Sequence, residues 1–151
     1  MTVPVDKMFL GELLVIPWGI VQQHVLAAYA AAGFSEVRPA YLPVFVYLGE
    51  TGDRVVDLAE RAGITKQAMG YLVASLEEYG YVERIPDPTD GRAQLVRRTA
   101  KGRAAQVVVQ QANMSVQEQW SEQLGAQDME QLLSLLRRLT TIVLEERGGD
   151  R

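Results

Sequence analysis

Apolar positions along this chain of 151 residues follow a helical rhythm at both ends and a mixed rhythm between them. Leu10, Leu13, Leu14, Pro17, Val21 and Ala28 recur at three- and four-residue steps, which predicts one apolar stripe on an amphipathic helix over residues 10–32. Pro17 lacks an amide hydrogen and is expected to kink that helix or break its first half, and Gly33 is placed to stop it. A second apolar segment, PAYLPVFVYLGETG, opens at Arg38-Pro39, with proline near a helix start. Asp53 is placed to cap a short helix over residues 54–62, which Gly63 ends. Thr65 caps a longer one, residues 66–79, closed by Gly80. Residues 81–85 and 94–97 are strand candidates on either side of a turn rich in proline, aspartate and glycine. Thr99 caps a further helix that Gly125 breaks, and a last helix over residues 127–146 leaves GGDR as a loose tail. The fold class is therefore mainly α with a small β-hairpin, without an internal repeat.

Composition narrows this. Apolar residues make up 48% of the chain, enough for a packed core. With no cysteine there are no disulfides and no thiolate metal sites, and with one histidine a transition-metal centre is not expected. The run from Met8 to Val21, followed by AYAAAG, loosely mimics a signal peptide, but Glu12 interrupts it and Gln22, Gln23 and His24 follow. No uninterrupted run reaches the ~18 apolar residues of a membrane span, so the expectation is a cytoplasmic protein. The net charge is −4, yet residues 54–103 carry nine Lys/Arg against seven Asp/Glu. Within residues 84–103 the balance is six against two. A weakly basic middle thus lies between acidic ends. No Gly-rich phosphate loop, G-x-S-x-G or His–carboxylate cluster is present, so an enzyme is not expected and no cofactor is implied.

The middle carries the function. In VVDLAERAGITKQAMGYLVA, Leu58, Ala59 and Ala62 face inward on the first helix, and Met69, Leu72, Val73 and Leu76 on the second. Small Ala59 and Gly63 let the helices cross closely through a short turn, the logic of a helix-turn-helix. Lys66, Gln67, Gly70, Tyr71 and Ala74 then point outward. Gln67 has an amide that grips adenine bidentately, and Lys66 reaches guanine or phosphate. Any αα-hairpin shows such a stripe, and Asp87-Pro88-Thr89-Asp90-Gly91 read alone is a plain turn. Placed directly after the hairpin of helices, however, that turn projects a tip with Arg92 suited to a minor groove, and Asp90 is placed to orient Arg92 by a charge-assisted bond.

Residues 55–102, with LAERAGITKQAMGYLVASLEEYGYVERIPDPTDGRAQLVRRTAKG, resemble the MarR family of multiple-antibiotic-resistance-type transcriptional regulators. The ordered signature is LEEYGYVER, then DPTDGRA, then the T-x-x-G helix start at Thr99–Gly102. The resemblance implies one MarR-like subunit over residues 1–151. Its winged helix-turn-helix lobe spans about residues 39–98, and its helical dimerisation lobe about residues 8–32 and 99–146. It implies a homodimer on a pseudo-palindromic double-stranded DNA operator, acting as a repressor, with the helix from Lys66 in a major groove and Arg92 in the adjacent minor groove. The DNA-facing set is then Thr65, Lys66, Gln67, Gly70, Tyr71, Arg84, Asp90 and Arg92. Where the family often carries a Ser-Arg type pair midway along the recognition helix, this chain has Gly70-Tyr71 and lacks one cationic contact. Many relatives respond to a small aromatic or phenolic effector, for which Trp18, His24, Tyr41 and Phe45, with Tyr29 and Tyr47, are candidate lining residues. Read without that context each is ordinary core, and His24 a buried, hydrogen-bonded one. The alternative is a protein-interaction module of the same fold that has lost DNA binding, which the acidic net charge favours. The apolar excess of the terminal helices, from Trp120 through Leu133 to Val143, would leave a large patch on a monomer.

Overall fold

A computed structural model describes residues 4–148 of the chain. After a 3-10 turn at Val5–Lys7 come α1 (Leu10–Ala31), a 3-10 turn at Pro39–Tyr41, α2 (Leu42–Tyr47), α3 (Val55–Ala62) and α4 (Lys66–Glu78). The hairpin β1 (Val82–Asp87) and β2 (Asp90–Arg98) follows, then α5 (Ala100–Leu124) and α6 (Ala126–Gly148). Of the tail expected to be loose, Gly148 closes α6 and the rest lies outside the described residues.

Local chemistry sets most of these boundaries. Gly33, Gly63, Gly80 and Gly125 all have positive φ where a helix ends or a new one begins. Thr65 and Thr99 each accept an amide hydrogen three residues on, from Ala68 and Gly102 at 3.1 Å. Helix α1 runs on through Pro17 rather than breaking there.

Two sequence expectations fail. Asp53 does not cap α3, whose N-cap residue is Arg54, with no capping side-chain bond. Instead Asp53 pairs with Val96 as a one-residue third strand. Its carboxylate accepts from the Gly49 amide at 2.6 Å and the Arg61 guanidinium at 2.5 Å. Once Arg61 and Val96 claim both its ends, the residue is no longer free to turn back onto the helix. The strands also outrun their predicted ends. Pairing runs in register from Val82 opposite Arg98 to Pro86 opposite Gln94, then shifts so that Asp87 meets Asp90, with residues 91–93 bulged and Pro88-Thr89 as the loop. The Asp87 carboxylate closes that loop by accepting from the Thr89 amide and hydroxyl at 2.8 and 2.7 Å.

The core joins both lobes. Leu58, Met69, Val73, Leu76 and Val96 are fully buried beneath an aromatic cluster of Tyr29, Phe45 and Tyr81. Phe45 lies 5.9 Å from both other rings, tilted on Tyr29 and edge-on to Tyr81. α5 leaves this core against α1, and α6 returns to pack on α3. There Arg147 donates to the Arg61 carbonyl at 2.8 Å, an acceptor left open by the end of α3.

Helix α1 corrects a third expectation. By length and composition it is apolar enough to cross a membrane, although no uninterrupted run is. It is not a clean stripe either: Val25 and Tyr29 are buried, while Leu10, Leu13, Val15, Ile16 and Ile20 are exposed all round. On α6, Leu132, Leu135, Leu139 and Ile142 are likewise exposed, whereas Met129 is buried.

Candidate nucleic-acid interface

The helix-turn-helix is built by α3 and α4. Gly63 in the left-handed conformation turns the chain, and Thr65 fixes the first turn of α4. Met69, Val73 and Leu76 are buried inward. The residues between them must then face out. Thr65, Lys66, Gln67 and Ala74 are exposed, Tyr71 is 67% exposed, and the space around Gly70 is open. This face is as predicted, and Tyr71 is its one large projection.

The hairpin stands beside that face. Glu83 and Arg97 pair across its strands at 2.7 Å. Arg84 is half-buried and donates to Glu77 of α4 at 3.2 Å, which ties β1 to the recognition helix. Asp90 does not orient the Arg92 guanidinium. Its Oδ1 accepts from the Arg92 backbone amide at 3.1 Å, and its Oδ2 lies 3.6 Å from Arg54. An aspartate side chain readily accepts from the backbone amide two residues on, and Asp90 does so in the stretch where residues 91–93 leave the strand register, so it takes the Arg92 amide rather than the Arg92 side chain. The Arg92 guanidinium has no carboxylate partner among the described residues and stays exposed at the tip.

Sequence reading missed Arg54. Its Nε and Nη2 donate to Asp87 Oδ2 at 2.8 and 2.5 Å. Asp87 is only 5% exposed, and its four hydrogen bonds hold its carboxyl down to about 2, the Thr89 bonds ahead of the Arg54 bonds. The clamp fixes the wing against the start of α3. A clue did exist: a lone arginine stands directly before a helix that has no capping side chain. Its partner lies 33 residues away, beyond the reach of local patterns.

Of the proposed effector-lining residues, the structure brings together three. Trp18, Tyr29 and Phe45 line a cavity of about 250 Å³ between α1, α2 and α5, along with Leu42. Tyr47 lines a neighbouring cavity with Trp18. Tyr41 is buried near the Tyr79 ring and lines none of the described cavities. His24 is not buried and lines none of the described cavities: it faces solvent, its Nδ1 2.9 Å from the Ile20 carbonyl. The reason is its helix phase, one residue off the Val25–Tyr29 face that packs inward. The Tyr29 hydroxyl is buried without a partner, and burial raises its pKa to about 12. Arg98, also buried, donates to the Phe45 and Gly49 carbonyls at 2.9 and 3.1 Å, and its Nε has no partner. Its burial pushes it below the usual guanidinium range.

A turn-joined helix pair with an outward polar face, flanked by a cationic two-stranded tip, defines a winged helix-turn-helix, the fold of DNA-binding transcriptional regulators. Comparison with known proteins agrees. A family model described as the MarR family matches residues 36–93. The HTH-type transcriptional repressor Mb2911 of Mycobacterium bovis is 33% identical over 119 residues, spanning 74% of this chain and 81% of that protein. The chain belongs to the MarR family, as its sequence signature implied, and is a MarR-family transcriptional regulator. Among solved structures, a crystal structure of MarR superposes with a TM-score of 0.80 at 17% identity, covering 98% of this chain and 99% of that one. The repressor CouR on a 23-mer DNA duplex gives 0.70 at 23% identity, covering 92% and 97%. CouR from Rhodococcus jostii RHA1 is also solved with p-coumaroyl-CoA, at 0.68 and 24% identity, covering 92% and 96%.

Proposed function

We propose that the chain is a homodimeric repressor that binds a two-fold-symmetric operator and is released by a small apolar or aromatic ligand. The observation that carries this reading is the shared face of two elements. The exposed first turn of α4, with Thr65, Lys66 and Gln67, stands beside a wing whose Arg92 is unpaired. A helix of that width fits a major groove and a thin charged tip fits the minor groove beside it. Gly70 and Tyr71 meet the groove wall, where Tyr71 packs on sugar or bonds phosphate. Asp90 and Arg84 hold the wing rather than touch bases.

Dimerisation is supported by the apolar residues that α1 and α6 leave exposed, a patch that a second copy would cover. The ligand reading is supported by the cavity under Trp18 and Phe45, which joins the terminal helices to the α2 end of the DNA-binding lobe. CouR, solved with DNA and with p-coumaroyl-CoA, shows that a protein of this fold takes both kinds of partner.

The test is a gel shift with purified protein and the intergenic DNA flanking its own gene, titrated with salt and unlabelled competitor. A competitor-resistant shift with two protomers per site is expected, and Arg92→Ala should weaken it with the melting temperature unchanged. Failure to shift that DNA, together with an empty selection from random duplexes, would assign the fold to a protein-interaction role instead.

A further inference from the structure

A cleft of about 480 Å³ opens between α3, α4 and the wing, lined among others by Arg54, Val55, Val56, Lys66 and Arg92. Its floor holds two unusual donors. Val55 and Val56 are the first residues of α3, whose leading amides have no intrahelical acceptor, and the N-cap residue Arg54 supplies no side-chain cap. Arg54 itself is 37% exposed. Both of its bonds to Asp87 run through the Nε–Nη2 edge, and neither uses Nη1. A guanidinium locked on one edge loses little freedom when the other is engaged. Arg84 lines the cleft as well, so four cations surround it, against Asp90 and Asp57 beside Arg54 and the carboxylates already bound to Arg54 and Arg84.

Position identifies the occupant. The cleft separates the element suited to a major groove from the element suited to the minor groove. Whatever divides two adjacent grooves is a sugar–phosphate strand. Resting on the DNA-binding reading above, we propose that Arg54 contacts DNA: clamped by Asp87, it presents its Nη1 end to a backbone phosphate seated on the Val55 and Val56 amides between recognition helix and wing. Arg54 then reads no base, and it sets how deeply both elements enter their grooves.

The experiment measures affinity of the full-length chain for a random-sequence duplex by fluorescence anisotropy across a salt series, since phosphate contacts do not require the operator. Arg54→Met keeps the aliphatic stem and removes the charge; Arg54→Lys keeps the charge and loses the fork. Arg54→Met removes one phosphate contact from each protomer of the dimer, so the slope of log affinity against log salt should shrink by about 1.8, and over a roughly fourfold rise in salt the wild type loses about twelvefold more affinity than the variant. Arg54→Lys should keep the wild-type slope. An unchanged slope in a folded Arg54→Met protein overturns the proposal and leaves Arg54 a wing clamp only. Should Arg54→Met not fold, the wild type decides: its Arg54 Nε–H, protected by Asp87, should give a resolved guanidinium Nε–H resonance that moves when duplex is added, and a stationary resonance overturns the proposal. A wild type that binds no duplex even at low salt removes the DNA-binding reading itself, and this proposal with it.

Discussion

Gly102, the glycine of the T-x-x-G helix start, offers a test in which sterics and helix propensity oppose each other. A Cβ built there meets the Tyr81 carbonyl oxygen at 2.0 Å, the Tyr81 carbonyl carbon at 3.1 Å and Arg98 Cβ at 3.3 Å. Contacts under 3.0 Å are not found for real Cβ atoms, so the helix and the entry to β1 must separate by at least the missing 1.0 Å. Tyr81 is fully buried and cannot yield cheaply, and its carbonyl accepts the Thr99 amide at 3.1 Å. Replacing glycine within a helix by alanine gains about 0.5–1 kcal/mol. Overpacking costs about 1–3 kcal/mol, and weakening the Thr99–Tyr81 bond about 1 kcal/mol more. Gly102→Ala is therefore expected to lose about 1–3 kcal/mol, which for a chain of this length lowers the melting temperature by roughly 3–10 °C. Gly70→Ala is the matched control. Nothing lies within 4 Å of its Cβ, so only the propensity term of about 0.5–1 kcal/mol remains and stability should rise. Thermal melts and urea midpoints at one fixed protein concentration measure both. A Gly102→Ala protein at least as stable as wild type would refute the close-approach explanation of this motif.

The acid limb of stability should depend on Asp87. Its folded pKa of about 2 lies below the ordinary 3.8, so its stabilisation is complete above the unfolded value and drains away as pH falls from about 5 towards 2; urea midpoints against pH should fall less steeply over that window in Asp87→Asn. Thr65→Ala removes one cap acceptor and should cost about 1 kcal/mol. Thr99→Ala should cost about 1 kcal/mol more, because Thr99 Oγ1 accepts from the Gly102 amide at 3.1 Å and also donates to the Gly80 carbonyl at 2.5 Å; equal losses in the two variants, read from urea midpoints, would contradict this. Tyr29→Phe deletes a buried hydroxyl that bonds nothing and should leave stability equal or higher in thermal melts, whereas a loss above about 1 kcal/mol would mean the hydroxyl has an acceptor in solution.

What the sequence disclosed follows the range of each interaction. The helix-turn-helix was legible because its determinants are short: Gly63 needs only its own positive φ, and Thr65 needs an amide three residues away. The wing was legible as a turn, since Asp87 and Thr89 close it within two residues. Its anchorage was not, because Arg54 and Asp87 meet only after α3, α4 and β1 have packed. Asp53 misled for the same reason: locally a cap, it is captured by Arg61 and by a bridge to Val96. For the cavity, aromatic content alone could not separate Phe45, which lines it, from Tyr41, which lies tilted beside Tyr79, or reveal that His24 sits one step off the buried face.

The bond from Arg147 to the Arg61 carbonyl has a consequence for the helix-turn-helix. The last turn of the C-terminal helix finishes the turn of the DNA-binding motif, and the Arg147 guanidinium lies about where a side chain at Gly63 would stand, 3.3 Å from its Cβ position. The helix-turn-helix is thus stitched to a residue 86 positions further along the chain. Removing the Arg147 side chain would leave the Arg61 carbonyl open and loosen the turn between α3 and α4 from a helix outside the motif.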